Sequence, residues 1–160
     1  MRRTRFDRAA CPIARTTDLI GDWWTPILLR NALFGQRRFE EFQRSLGVPR
    51  ASLARRLARL VDDGLLERHL YQRHPPRHEY RLTAKGRAFF DVLAAMWRWG
   101  EDWLWPESTV PVRLTDRETG RTVRPVVVDE STGERIDARR LRPSFRRTTR
   151  RASAAERRAQ

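Results

Sequence analysis

Leucines recur at helical spacing near the middle of the chain. Leu53, Leu57 and Leu60 occupy positions i, i+4 and i+7, which places them on one face of a predicted helix. The opposite face of that helix is polar and basic, and it consists of Ser52, Arg55, Arg56 and Arg59. Such a pattern is typical of a helix that lies in the major groove of DNA, but also of an ordinary helix at a protein surface. Taken alone, the pattern favours neither interpretation.

A second short helix precedes the arginine-bearing one. It is predicted over residues 37–46, with an apolar face formed by Phe39, Phe42 and Leu46. The turn Gly47–Pro49 separates the two helices, and two short helices joined by a tight glycine-containing turn have the layout of a helix-turn-helix. Two further helices are predicted upstream, one between Cys11–Pro12 and Gly21 and the other between Gly21 and Gly35.

The hydrophobic pattern changes to period two after Gly64, which predicts strands over residues 65–72 and 79–83. Prolines 75 and 76 cannot pair inside a sheet, so they belong to the loop between the strands. The residues of this loop expected to contact phosphates or the minor groove are Arg73, His74 and Arg77. A basic hairpin directly after a helix-turn-helix is a wing. The predicted fold class is therefore mainly α with a small β-hairpin wing, a winged helix-turn-helix.

A long helix is predicted from Thr83 to about Trp105. It carries more apolar side chains than one small domain can bury, and those assigned to dimerisation are Phe90, Leu93, Met96, Trp97 and Leu104. A homodimer interface is the usual cover for such a surface. The alternative is a hydrophobic pocket that binds a small-molecule inducer.

The composition of the chain changes after Trp105. Residues 106–137 contain short valine-rich segments between turn signals, which predict a small β-hairpin appendage or a three-strand meander. Residues 138–160 are rich in arginine and poor in large apolar side chains, which predicts a disordered basic tail. Residues 1–10 form a basic N-terminal arm, and residues 11–105 are expected to form the winged helix-turn-helix DNA-binding and dimerisation domain.

The net charge of +14 and the pI near 11.6 favour an anionic partner, nucleic acid before a membrane. The charge is unevenly distributed. Residues 1–105 carry 20 basic and 12 acidic side chains, residues 106–137 carry 5 and 7, and residues 138–160 carry 9 and 1. The tail contributes more than half of the net positive charge. The prediction that the partner is double-stranded DNA therefore depends on the positions of the arginines in the folded domain.

Several classes of function find no support in the sequence. A single cysteine, Cys11, excludes an intramolecular disulfide and a multi-cysteine zinc site. The histidines His69, His74 and His78 lack a cysteine or carboxylate cluster at familiar spacing, so no metal and no cofactor is expected. Paired acid and base groups, an activated nucleophile and a phosphate loop, the signs of an enzyme, are missing. Because no apolar run reaches membrane-spanning length and no secretory segment is evident, we expect a cytoplasmic protein.

The order and spacing of these features are more specific than any one of them. The motifs concerned are Cys11–Pro12, Gly21–Leu28, Gly35–Phe42, Leu53–Leu57, Gly64–Leu65 and Pro76–Gly86. Together they resemble the HxlR-type winged helix-turn-helix transcriptional regulators, over roughly residues 9–105.

This resemblance implies a homodimeric DNA-binding regulator, a repressor or an activator, with dimerising helices at the ends of the winged domain. Several members of the family sense oxidants or electrophiles through one cysteine near the N-terminus, and Cys11 occupies the matching position. A helix N-terminus with Arg8 and Arg15 nearby would favour the reactive thiolate. The alternative is that Cys11 is a small residue packed at the dimer interface.

The resemblance also assigns roles to the arginines. The residues expected to contact base edges are Ser52, Arg55 and Arg56. Those expected to contact the DNA backbone are Arg38, Arg50 and Arg59. The chain departs from the family at the start of the recognition helix, where Pro49 and Arg50 replace a frequent serine and proline. The competing interpretation is a protein-interaction module whose winged-helix scaffold no longer reads DNA.

Overall fold

The structure, a computed structural model, describes residues 6–106 and 109–144. It divides into two units between Val126 and Val127, and the winged domain lies in the first unit. The helices of the first unit are α1 (Pro12–Ile20), α2 (Trp24–Leu33), α3 (Phe39–Leu46), α4 (Arg50–Asp62), α5 (Ala84–Ala88) and α6 (Phe90–Trp103). Its strands are β1 (Leu66–Gln72) and β2 (Arg77–Leu82).

Helix α1 begins and ends at the residues that the sequence indicates. Pro12 takes the first helical position after Cys11, where its missing N–H would have had no helical partner. Gly21 ends the helix with a φ of 70°, a conformation that favours glycine. Asp22 then starts α2, because its Oδ1 accepts hydrogen bonds from the N–H groups of Trp24 (3.0 Å) and Thr25 (3.2 Å).

Helices α3 and α4 form the predicted helix-turn-helix. The Glu41 carboxylate accepts the backbone N–H groups of Arg38 (2.9 Å) and Arg37 (2.7 Å) at the start of α3, and these bonds lower its pKa. Gly47 ends α3 in the left-handed conformation, and Pro49 precedes the first residue of α4 without a side-chain cap. The departure from the family pattern at Pro49 and Arg50 is therefore compatible with a regular helix.

The core of the domain lies beneath α4. Phe42 of α3 and the three leucines of the α4 apolar face are at most 1% exposed. The core also includes side chains from α2, from the turn between α3 and α4, from the connection to β1 and its first residue, and from the residue between α5 and α6, namely Leu28, Leu29, Ala32, Val48, Leu65, Leu66 and Phe89. Burying the leucines fixes which face of α4 remains outside.

The wing is an antiparallel hairpin in which Leu66 pairs with Leu82. Its second strand begins at Arg77, two residues earlier than predicted, because pairing resumes as soon as the two prolines of the loop have passed. A short third segment adds to the sheet: Arg38 bridges Glu79, and the N–H of Tyr80 donates to the Arg37 carbonyl oxygen at 2.7 Å. The wing is thus joined by its backbone to the start of α3.

The single long helix predicted from Thr83 to Trp105 is wrong in detail. The structure has two helices, interrupted at Phe89, and the second ends at Trp103. Phe89 is only 6% exposed because its ring enters the core, whereas Phe90 faces outward. Packing of this one aromatic ring accompanies the local break, which helical spacing alone does not reveal.

The C-terminal appendage has less β-structure than predicted. Within the first unit, Thr115 and Thr122 form an isolated bridge around a tight turn. The Asp116 carboxylate closes this turn by accepting bonds from Thr119 and Glu118, and those bonds lower its pKa. Pro111 and Pro125, which lack an N–H, flank the segment and limit longer pairing.

The second unit has a turn of the same kind. Val128 and Arg135 form an isolated bridge, and the Asp129 carboxylate accepts bonds from Ser131 and Thr132 that lower its pKa. A short 3-10 helix comes next, at Ala138–Arg140. The predicted disorder of the basic tail falls mostly on residues 145–160, which lie outside the described residues, as do residues 1–5 of the basic arm. The proposed segment boundaries remain a prediction.

Among the residues described, no helix has both the length and the apolar character needed to cross a membrane.

Candidate nucleic-acid interface

The basic face of α4, formed by Ser52, Arg55, Arg56 and Arg59, lies opposite the buried leucines. Arg55 is exposed, and in the part of the chain that the structure describes it makes no hydrogen bond, ion pair or ring contact. Its neighbours Ala51 and Ala54 are small and exposed. Arg55 can therefore approach a ligand without first leaving an intramolecular partner.

Arg56 differs from Arg55 although the two are adjacent. Its Nη1 forms an ion pair with Oδ2 of Asp22, and its Nε lies 3.3 Å from the hydroxyl oxygen of Ser52. The guanidinium also lies over the Trp24 ring, 5.4 Å from the ring centroid. The structure thus brings together two of the three predicted base-contacting side chains, Ser52 and Arg56, but by contacts within the protein.

Two of the predicted backbone-contacting arginines rest on aromatic rings. The Arg50 guanidinium lies 4.7 Å from the centroid of the Phe39 ring, at the start of α4. Arg38 lies 4.8 Å from the centroid of the Tyr71 ring in β1. Both arginines are exposed. A ring face orients a guanidinium while leaving its N–H groups at the edge free to donate, which suits a phosphate ligand.

Arg59, the third predicted backbone contact, has two partners within the protein. Its Nε lies 3.4 Å from Oδ2 of Asp63, one turn later in α4. Its Nη2 donates to the backbone carbonyl oxygen of Asp18 in α1, at 3.2 Å. The guanidinium passes directly over Gly21, where a Cβ would lie 2.5 Å from its nitrogens. Arg59 therefore joins α4 to the end of α1.

The tip of the wing is open. Arg73, His74 and Arg77 are exposed, and the His74 backbone carbonyl accepts a hydrogen bond from the Gln72 side chain at 3.1 Å. The side chains of Arg73 and Arg77 have no partner among residues 6–106 and 109–144. These two cations are available to an anionic ligand beside α4.

The residues assigned to dimerisation do not form one surface. Leu93 packs against the core, and Trp97 meets Phe34, the residue directly after α2, edge to face, with ring centroids 6.3 Å apart. Phe90, Met96 and Leu104 are exposed. The predicted set omits the two most exposed large apolar residues of α6: Trp99 is 58% exposed and Trp103 is 73% exposed.

The spacing of Met96, Trp99 and Trp103 could have revealed this second surface, because i, i+3 and i+7 fall on one side of a helix. We call these three residues the outer stripe. The predicted dimerisation residues Leu93 and Trp97 fall on a neighbouring side of α6, which contacts α2. The apolar helix therefore has one face packed within the protein and one face in solvent.

A small apolar cavity of about 20 Å³ lies between α2 and α6. Its lining consists of Arg30, Leu33, Phe34, Phe90, Leu93, Ala94, Trp97 and Leu114. Pockets that bury drug-sized ligands measure roughly 300–1,000 Å³. The cavity has the apolar character expected of an inducer site but not the volume, and the small-molecule inducer remains a prediction.

Cys11 is exposed at the N-cap of α1 and carries a free thiol. The nearby Arg15 directs its Nε to the Ala9 carbonyl oxygen, at 2.7 Å, so it orders the chain before the helix. Within the described residues no three histidine, cysteine or carboxylate side chains come together as metal ligands.

A buried leucine face beneath α4, an exposed basic face above it and a basic hairpin beside it define a winged helix-turn-helix protein of the DNA-binding class. Residues 19–108 match the HxlR-like helix-turn-helix family, and the chain belongs to this family. It is a transcriptional regulator by family and not an enzyme.

The chain is 39% identical over 131 residues to the uncharacterized HTH-type transcriptional regulator Rv3095 of Mycobacterium tuberculosis, covering 82% of this chain and 83% of the relative. It resembles the crystal structure of PA1607, described as a candidate transcription factor, with a TM-score of 0.79 and 40% identity over 88% of this chain and 99% of that one. It also resembles the redox regulator HypR in its reduced form, with a TM-score of 0.54 and 35% identity over 57% of this chain and 92% of HypR.

Proposed function

We propose that this regulator is a homodimer that inserts α4 into the DNA major groove, with Arg55 as the principal base-reading residue. The observation that carries the proposal is the contrast on the basic face, where Arg55 is exposed and free of partners among the described residues. A free guanidinium can form the paired hydrogen bonds with guanine that give most arginine readout. Ser52 lies one turn earlier, and its O–H can donate to a base or phosphate while its oxygen faces Arg56.

Other arginines on and around α4 would contact the DNA backbone. Arg38 and Arg50 rest on aromatic rings with their N–H edges exposed, which suits phosphate oxygens. Arg59 is half-exposed and can add a further positive charge at the end of the interface. Arg73, His74 and Arg77 at the wing would contact phosphates or the minor groove beside the recognition helix.

Selection of a binding site from a random 30-base-pair library by the full chain tests this proposal. We expect Arg55→Ala to reduce affinity for the selected duplex about 5- to 150-fold, the equivalent of ~1–3 kcal/mol for one arginine–guanine contact. Affinity for a scrambled duplex of the same composition should fall far less. Fluorescence anisotropy at fixed salt measures both.

Arg117→Ala is the matched control, because Arg117 is an exposed arginine in the appendage turn and its loss removes the same charge. It should leave the ratio of the two affinities unchanged. Arg77→Ala should weaken binding to both duplexes alike and reduce the salt slope by about 1. Equal losses on both duplexes for Arg55→Ala would make it a backbone contact, and no preferred site in the selection would favour the protein-interaction module.

The observation that supports the proposed homodimer is the outer stripe of α6. Met96, Trp99 and Trp103 are exposed on one side of α6, and a second copy of the chain could cover them by two-fold symmetry. Two recognition helices related by such an axis would read half-sites about one DNA turn apart, or a small multiple of it, roughly 34–36 Å per turn.

Cys11 would make the regulator responsive to oxidants or electrophiles. Two observations support this role: the thiol is exposed at the start of α1, and a relative that shares the winged domain is described as a redox regulator. With a quinone, the thiolate would add to a ring carbon, forming a C–S bond and, after proton transfer, a substituted hydroquinone.

We expect treatment with benzoquinone to change the affinity of the wild-type chain for its selected duplex and to leave that of Cys11→Ser unchanged. Intact mass spectrometry reports whether one adduct has formed. The Cys11→Ser chain is the control that shows how much quinone adds to the lysine and the N-terminal amine. An equal response of both chains would exclude Cys11 as the sensor.

A further inference from the structure

Arg56 and Asp22 form a contact between the recognition helix and the junction of α1 and α2. The two carboxylate oxygens of Asp22 have separate tasks. Oδ1 accepts the N–H groups of Trp24 and Thr25 and so starts α2, whereas Oδ2 receives Nη1 of Arg56. One side chain therefore fixes the start of one helix and holds the middle of another.

Arg56 is more enclosed than a residue that reads DNA would be. Its side chain is 21% exposed, with the Asp22 carboxylate at Nη1, the Ser52 hydroxyl at Nε and the Trp24 ring against its face. To reach a base, the guanidinium would have to leave all three partners. It would also leave the Asp22 carboxylate, 35% exposed, without its cation close to the DNA phosphates.

A second tether lies one turn further along α4. Arg59 donates to the Asp18 carbonyl oxygen and packs over Gly21, so it reaches the same junction three residues after Arg56. The leucines on the other side of α4 hold the helix against the core. The leucines set which face of α4 lies outside, and the polar tethers on the opposite side further restrict rotation of α4 about its own axis.

We propose that Arg56 is a positioning residue, which through Asp22 sets the rotation of α4 and thereby the direction in which Arg55 enters the major groove. The inference rests on the proposed function of α4 as the DNA reader. Paired hydrogen bonds to a base tolerate little angular error, whereas phosphate contacts tolerate much more. Loss of the tether should therefore reduce discrimination between DNA sequences more than it reduces general affinity.

A double-mutant cycle on the full chain tests the proposal. Asp22→Asn keeps an oxygen to start α2 but removes the charge that holds Arg56. We expect Arg56→Gln and Asp22→Asn each to lower the ratio of affinities for the selected and scrambled duplexes roughly tenfold, and the double variant to be no worse than either single one. In the Asp22→Asn background, Arg56→Gln should thus have little further effect.

The salt slope distinguishes positioning from direct contact. Arg56→Gln should leave the slope of affinity against salt unchanged, because a guanidinium paired with Asp22 releases no counterion from DNA. A slope lower by about 1, or an undiminished effect of Arg56→Gln in the Asp22→Asn background, would make Arg56 a DNA contact and overturn the proposal.

Two controls separate the possible failures. Thermal melting of each variant must match that of the wild type within a few degrees. Arg56→Lys keeps the charge that pairs with Asp22 but cannot form the paired hydrogen bonds of a guanidinium with guanine, so it should retain most of the affinity ratio. A loss of the ratio as large as that caused by Arg56→Gln would make Arg56 a base contact and overturn the proposal. If Arg55→Ala leaves the ratio intact, the assignment of α4 as reader fails first, whatever Arg56 does.

Discussion

Gly86 shows how one residue lets α5 pack against the connection between α4 and β1. A Cβ at this position would lie 2.0 Å from the carbonyl oxygen of Leu65, a backbone atom that cannot move aside as a side chain can. The close approach is stabilised by Thr83, whose hydroxyl donates to the Gly64 carbonyl oxygen at 2.7 Å and accepts the Gly86 N–H at 3.0 Å. The glycine that ends the family motif therefore has a packing reason.

Gly86→Ala should lower the free energy of unfolding by about 1–3 kcal/mol, because the added methyl group forces two backbone segments apart. Gly100→Ala is the matched control. Gly100 lies in α6 with open space around its would-be Cβ, so alanine there should raise the free energy of unfolding by about 0.5–1 kcal/mol through its higher helix propensity. Urea unfolding followed by circular dichroism measures both, and a similar gain for the two variants would refute the close-packing explanation.

At the same scale, the sequence could not distinguish Arg55 from Arg56. Helical spacing places both on the outer side of α4, and their chemistry is identical. Their difference comes from Asp22, which lies 34 positions away from Arg56 and meets it only in the folded chain. The partner of a charged side chain depends on how helices cross, and one-dimensional periodicity does not contain that information.

At the scale of elements, the helices whose ends carry a glycine or proline were predicted well. Pro12 and Gly21 delimit α1, and Gly47 and Pro49 delimit the turn before α4, because these residues act through their own backbone conformation. The confirmed fold class follows from these local signals together with the leucine pattern. Local conformational preference is the part of a fold that a sequence displays most directly.

The elements that were predicted less well depend on neighbours. The interruption of the last helix at Phe89 accompanies the burial of that ring in a core built by other helices. In the appendage, valine-rich segments read as strands, but each closes on an aspartate-centred turn with one isolated bridge. A period-two pattern indicates that a segment can pair, while the number of pairs formed depends on turn geometry and on prolines such as Pro125.

At the scale of the whole molecule, a relative shares part of the C-terminal appendage. The family match ends at residue 108, yet the alignment with Rv3095 includes 131 residues and cannot fit within the first 108. Part of the appendage is therefore shared with that relative, whereas the match to HypR covers only 57% of this chain. These relatives thus share the winged domain and differ in the segment that comes after it.

The outer stripe of α6 leads to a prediction about how two copies of the chain associate. Trp99 and Trp103 would be covered in the proposed homodimer, and aromatic residues of this kind often contribute about 2 kcal/mol or more to an interface, roughly 30-fold in affinity. Because the interface is two-fold symmetric, each substitution removes the contact on both subunits. Trp99→Gln/Trp103→Gln should therefore convert the chain to a monomer at micromolar concentration in sedimentation velocity, with no change in net charge.

Leu70→Gln is the matched control, since Leu70 is an exposed apolar residue on the wing and away from α6. It should sediment like the wild type. On DNA, the monomeric variant should keep its affinity for a single half-site duplex but lose the tighter binding to a duplex with two half-sites, because only the dimer engages both at once. An unchanged dimer fraction in Trp99→Gln/Trp103→Gln would place the dimer contact elsewhere and leave the outer stripe unexplained. A monomer that still binds the duplex with two half-sites as tightly as the wild type would show that α4 reads DNA without a partner.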